Sequence, residues 1–287
     1  MARLLREGPV LVLNIFTGYL SNLKIHGAVL GAERYREEID AANFMGFESV
    51  NLGELDAPFR RTAYQQLGNI FRPPVAEDLA WLEALRVKVF GALEQIGFQE
   101  LYVPLGVGWH VDHVLTYMLF DTWVSSRELV YYEDIPYCCI PHATRYRLND
   151  IAWYEAAEVD RSLRAINEVH AWWQAAGAYA STALMKNLQP WILRKCAVPV
   201  VGYYLYRLMA LHRKFAPKAM QRQLRPRLLP VSPQDLERKV GSMELYTSQF
   251  NEFFASREDC LTVLHQYAAL FCVSDGAIER VWRVVRK

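Results

Sequence analysis

The stretch GVGWHVDH, residues 106–113, carries two histidines and an aspartate within four positions. Neutral imidazole is a good zinc ligand, and a neighbouring carboxylate can fix its tautomer and orientation. His110 and His113 can share the start of one helix, with Asp112 between them. One histidine could then bind metal while the other stabilises a developing oxyanion. Gly106 and Gly108 would let the backbone approach a substrate closely. The competing reading is a glycine-rich turn that happens to carry histidines. A catalytic zinc site takes three protein ligands, and two histidines with one carboxylate do not by themselves make one.

The flanking elements must position this turn. PVLVLNIF (9–16) is a continuous apolar run with β-branched content and predicts a buried, parallel strand. AERYREEIDAANFMGF (32–47) sets Ile39, Ala42 and Met45 among charges and closes at Gly46, the pattern of an amphipathic helix. ESVNLGELD (48–56) predicts a short strand running into a loop, and DLAWLEALRVKVFGALEQIG (78–97) a long helix. QELYVPLG (99–106) is the strand leading into the turn, HVLTYMLFDTWVSS (113–126) a helix, and ELVYYEDIPY (128–137) a strand and its exit. Strands alternating with helices predict an α/β layered sheet, whose sites sit at the carboxyl ends of the strands. The histidine turn stands at such an end. Glu133 and Asp134 either shape the pocket or end a strand, whereas His26 and His142 read as ordinary polar loop residues.

PLGVGWHVDH followed by YYEDIPY resembles the PIG-L/LmbE-like family of zinc-dependent de-N-acetylases, which act on N-acetylglucosaminyl lipids and related amino sugars. LNIFTG is similar to that family's second strand, and the 32–47 helix followed by LGELDAPFRR is similar to its R-x-x-E helix and the aspartate loop after it. KVGSMELYTSQF (239–250) is similar to its late K-x-x-x-x-x-x-Y-x-S-Q segment. The resemblance covers roughly residues 1–140 and 230–255. It implies a Rossmann-like, mostly parallel sheet and metal-dependent removal of an N-acetyl group from an amino sugar or glycolipid. By the same resemblance His113 is a zinc ligand, His110 the electrophilic histidine beside the scissile amide, and Asp112 the residue that orients it. Arg34 and Asp56 match positions expected near the sugar.

The family's other defining motif, H-P-D-D at the end of its first strand, is not in this sequence. In the family it supplies two zinc ligands and the general base on the metal-bound water. MARLLREG resembles the second half of the helix that normally follows, so the sheet is expected to lack its first, central strand and to leave two strand edges unpaired. Three explanations fit: a coding start that lies further upstream, a degenerate pseudoenzyme, or a second polypeptide that completes the sheet. The rival to hydrolysis is accordingly a catalytically inactive remnant that binds a glycan or lipid at a membrane surface.

A second region has a different character. From Val169 to Gln234 there is no Asp or Glu, while ten Lys or Arg fall between Lys186 and Arg227, with Trp191, Tyr203, Tyr204, Tyr206 and Phe215 among them. Prolines 217, 226, 230 and 233 are expected to break the end of this stretch into a basic loop, and 233–254 to return to one capped amphipathic helix. The expected organisation is a deacetylase-like core over 1–150, a helical basic insertion or lid over 151–232, and a C-terminal helical part of the core over 233–287. Basic residues beside aromatics suit an anionic membrane surface; a lid packed on the acidic remainder also fits, and nucleic acid fits least, for want of any binding motif. Five cysteines without C-x-x-C spacing read as reduced, packed thiols of a cytoplasmic chain, with peripheral attachment to the inner face of a membrane as an option. No stretch of about 18 uncharged apolar residues offers a membrane span.

Overall fold

The computed structural model describes residues 1–20, 31–121, 123, 128–154, 168–182, 197–215, 222–271, 273 and 276–285. His26, Trp191 and part of the basic series (Lys186, Arg194, Lys195, Lys218) lie outside the described residues.

After α1 (Ala2–Glu7), strands β1 (Leu11–Gly18) and β2 (Glu48–Leu55) pair in parallel across α2 (Gly31–Met45), with Leu11 opposite Glu48 and Asn14 opposite Asn51. The short helix α3 (Ala57–Arg60) and two 3₁₀ turns lead to α4 (Ala76–Glu94), which buries Leu85, Val89 and Leu93 at the helical spacing read in the sequence. Strand β3 (Glu100–Pro104) then pairs in parallel with β4 (Glu128–Tyr132), which follows α5 (Val111–Leu119).

Beyond β4 antiparallel pairing joins the parallel pairing. The last strand, β7 (Ala277–Val284), lies between β4 and β6 (Arg222–Val231) and runs against both, while β5 (Ala152–Tyr154) is parallel to β6. The order is β3-β4-β7-β6-β5, with β1-β2 as a separate sheet. Among the described residues no ladder joins β1 to β3, yet one core serves both: Ile15 of β1 is buried in the cluster that holds Val103, Leu85 and Val89.

Two further expectations change. The supposed basic loop is strand β6 between Arg222 and Val231, paired with β7 from Leu224 to Val231. Pro226 and Pro230 share parity, so their missing N–H groups fall on one edge, and β5 pairs only residues 222–224. The single helix expected over 233–254 is two, α9 (Pro233–Leu245) and α10 (Thr247–Phe253), labelled here after α6 (Ala143–Ile151), α7 (Glu168–Ser181) and α8 (Ala197–Phe215). The break is Tyr246, which leaves helical geometry (φ −83°, ψ 57°) and donates its hydroxyl to Glu38 of α2. The predicted cap is present: Ser232 Oγ accepts from the Asp235 N–H at 3.1 Å. Helix α11 (Arg257–Ala269) precedes β7.

In the second region α7 and α8 bury Ala171, Ala175, Val201, Leu205 and Leu208 in a cluster of their own that includes Trp109. Gly202 permits this approach, since a Cβ there would collide with the Trp172 indole. No helix among the described residues is long and apolar enough to cross a membrane.

Candidate active site

Three strand exits converge on one place. At the end of β2, Asp56 caps α3, accepting from the Ala57 N–H at 2.9 Å. At the end of β3 the chain enters the left-handed region at Gly106 (φ 79°), Gly108 (φ 83°) and Trp109 (φ 62°) before α5 begins. At the end of β4 come Glu133 and Asp134.

The glycines of the turn serve packing rather than substrate approach. A Cβ at Gly108 would enter the Tyr137 ring, and one at Gly106 would lie 3.0 Å from Arg147 Nη2. Arg147 itself is buried and donates to the Leu105 carbonyl at 2.9 Å. Trp109 is the costlier feature, because a bulky residue at positive φ persists only where its surroundings impose that backbone.

His110 caps α5 with its ring: Nδ1 accepts from the Asp112 N–H at 3.3 Å. Burial, with His113 adding to it, pushes the imidazole down to about 3, so it is neutral at physiological pH. With Nδ1 accepting, the single ring proton belongs on Nε2, leaving an N–H donor at the ring's far side. His113, one turn on, has the opposite arrangement. Its Nδ1 lies 2.6 Å from Asp134 Oδ1, while Asp134 Oδ2 accepts from the N–H groups of Gly106 and Val107, each at 2.8 Å. Burial alone would lower His113, but the Asp134 carboxylate outweighs it and the net shift is upward. The two ring centroids stand 5.1 Å apart.

Asp112 does not orient His110 through its carboxylate; the connection is its backbone N–H. The carboxylate instead accepts from Arg60 Nη2 at 2.6 Å and from the Ala57 N–H at 3.1 Å, and lies against Asp56. Burial, opposed by Arg60 and reinforced by Asp56, pushes Asp112 up to about 7. Burial acts on Asp56 in the same sense, but its hydrogen bond with Asp112 and the charge of Arg34 hold it below the usual range. Arg34 Nη1 donates to Asp56 Oδ2 at 2.6 Å, which places that predicted pair on one side of the cluster.

The structure thus brings Arg34, Asp56, His110, Asp112 and His113 together. Sequence reasoning missed Arg60, which bridges Asp112 and the fully buried Asp78, and it left the role of Asp134 open. It also missed the aromatic wall: Phe71 lies edge-on to His110 (6.2 Å) and to Tyr137 (6.0 Å), and Tyr137 edge-on to Phe253 (5.6 Å). No local pattern marked these residues. Glu133, by contrast, faces inward and accepts from Thr144, Tyr267, Arg280 and Trp282. His142 is buried against Gln174 of α7, its Nε2 3.0 Å from Oε1.

The donors present do not make a zinc site. His113 has the backing carboxylate that metal-binding histidines need, but Asp56 and Asp112 are committed to arginines. Among the described residues no group of three or more His, Cys, Asp or Glu is arranged to hold a metal.

No family sequence model and no curated protein matches the chain. Solved structures do. The chain is similar to the A40926 pseudoaglycone deacetylase (TM-score 0.59, 15% identity, covering 99% of this chain and 89% of that one). It is similar to a teicoplanin deacetylase in complex with teicoplanin (TM-score 0.59, 14% identity, 100% and 91% covered). A zinc-inhibited form of teicoplanin deacetylase gives a TM-score of 0.60 at 14% identity, with 100% and 91% covered. The chain shares the mixed α/β, Rossmann-like fold of these deacetylases.

Proposed function

We propose that the site at His110 and His113 removes an N-acetyl group from an amino sugar. The observation that carries this reading is the pair of imidazoles fixed in opposite senses on one helical turn, His110 held by a backbone donor and His113 by Asp134. The pair also stands at strand exits, the edge at which open α/β sheets usually place their ligands, and the fold is shared with a teicoplanin deacetylase and an A40926 pseudoaglycone deacetylase.

Each residue has a task the chain itself can perform. His110, neutral and protonated on Nε2, donates to the amide oxygen and holds it more tightly as it becomes an oxyanion. His113 Nε2, when deprotonated, takes the proton of the attacking water and returns it to the leaving amine, with Asp134 steadying the ring. Arg34 and Asp56 hydrogen-bond the sugar hydroxyls; the Arg34 side chain is 40% exposed and so within reach of a ligand. No step is assigned to zinc, whose place in this reading comes from the family resemblance and from the zinc-inhibited neighbour alone.

The test is acetate and free-amine release from N-acetylglucosamine conjugates by wild type and His110→Ala, with and without added zinc. Release abolished by the substitution supports the reading. Saturable sugar binding with no release under any metal condition overturns it in favour of a glycan-binding remnant.

Helix α8 supports a lipid-linked substrate at an anionic bilayer. Helix α8 exposes Val200, Tyr203 and Tyr206 (63%, 60% and 59%), carries Arg207, Arg213 and Lys214, and has no acidic residue. Each basic residue at such a surface contributes about 1 kcal/mol. Sedimentation with vesicles that ignores both anionic lipid content and salt would remove this part of the proposal.

A further inference from the structure

One side chain of α8 grips both neighbours of His110. His212, near the end of α8, is buried and stacks on the indole of Trp109 (centroids 5.2 Å apart, planes at 16°). Its Nε2 also lies 2.9 Å from the carbonyl oxygen of Phe71. Trp109 is the residue before His110 in the chain, and its backbone is the strained one at φ 62°. Phe71 is the residue whose ring meets the His110 ring edge-on. His212 therefore acts on His110 twice, through the peptide bond that precedes it and through the ring that walls it.

A carbonyl oxygen can only accept, so the ring nitrogen that faces it, Nε2, carries the His212 proton. Burial pushes its imidazole down to about 4, which keeps it neutral. An indole at positive φ has little local reason to stay there, and the stacked imidazole covers one of its faces. A second contact joins the same elements without touching His110: the Tyr204 hydroxyl of α8 donates to the Gly68 carbonyl.

We infer that His212 is a positioning residue for His110, so that docking of helix α8 and alignment of the electrophilic imidazole are one structural event. The role in turnover rests on the deacetylase reading above; the effect on the His110 ring does not. Three substitutions separate the contacts. His212→Phe keeps a stacking ring and loses the hydrogen bond. His212→Gln keeps an amide donor for the Phe71 carbonyl and loses the aromatic stack. Tyr204→Phe loosens α8 while leaving both grips on His110 in place.

The first readout is the His110 imidazole resonance in ¹H–¹⁵N spectra of the intact protein. We expect it to move in both His212 variants and to stay in place in Tyr204→Phe. The second is kinetic: with N-acetylglucosamine conjugates, kcat should fall about 10- to 100-fold in the His212 variants with KM within about twofold, the signature of lost alignment. If His212→Phe does not fold, His212→Gln carries the test. An unmoved His110 resonance in a folded His212 variant overturns the inference. So does an equal shift in Tyr204→Phe, which would reduce His212 to one α8 contact among several. A chain that releases no acetate yet shows the spectral pattern would overturn the deacetylase reading and leave the positioning role standing.

Discussion

Asp134 joins two strand exits: one oxygen lies 2.6 Å from His113 Nδ1 and the other receives the N–H groups of Gly106 and Val107. Its charge is what raises the His113 pKa. Asp134→Asn should therefore lower the His113 titration midpoint, an effect read directly by NMR titration of the ring. Activity should fall with it, by about 10- to 100-fold if the ring also loses its orientation. A midpoint that does not move would mean that Asp134 is a structural cap for the turn and nothing more.

His110 makes one hydrogen bond through its ring, so its removal should cost chemistry rather than stability. His110→Ala is expected to lower kcat by about 10²- to 10³-fold, the usual loss for one oxyanion donor. Its denaturation midpoint should stay near that of the wild type in urea.

Arg60 is the opposite case. It lies within hydrogen-bond distance of the Asp78 and Asp112 carboxylates, and all three side chains are at least 94% buried. Arg60→Met should destabilise the protein by about 3 kcal/mol, because it strands the buried Asp112 carboxylate, while Arg61 still pairs with Asp78. Equilibrium urea unfolding measures this, and a loss below about 1 kcal/mol would contradict the network.

Acid should also act near the exit of β4, where β7 continues past Tyr132 to Glu279. Lys239 first, and against the opposing effect of burial, holds Glu279 down to about 2, below its ordinary 4.5. A depressed carboxyl stabilises the fold above its unfolded value and loses that contribution as pH falls through the folded one. Stability should thus decline between pH 4.5 and about 2, and Lys239→Met should flatten that decline in thermal melts across the same window.

Two glycines at nearly the same φ make a clean comparison. Gly46 (φ 82°) has open space where a Cβ would go, whereas at Gly108 (φ 83°) the Tyr137 ring occupies it. Gly46→Ala should cost about 1 kcal/mol through backbone conformation alone. Gly108→Ala should cost more than twice as much, and His110 should lose its alignment as well.

Much of the fold could be read from local pattern. The strand–helix alternation through residue 137 is present nearly as spaced, and the five candidate residues Arg34, Asp56, His110, Asp112 and His113 do assemble. What escaped the sequence is what depends on distant partners. A proline-bearing segment became a strand because β7 was there to pair with it. One amphipathic pattern became two helices because Glu38 captured the Tyr246 hydroxyl. Arg60 and Phe71 carry no signature, since their importance comes from where the chain returns, 52 residues later for Asp112 and 141 for His212.

The carboxylate of Glu133 bears on how the molecule is assembled. Two of its four donors, Arg280 and Trp282, sit on β7, and a third, Tyr267, on the helix before it. A nascent chain that has already emitted every candidate residue from Arg34 to Asp134 still leaves Glu133 short of its partners, and Asp134 is the next residue along. The histidine turn is made early on the ribosome, but its support comes 134 to 149 residues after Glu133, so the site closes only once β7 has emerged.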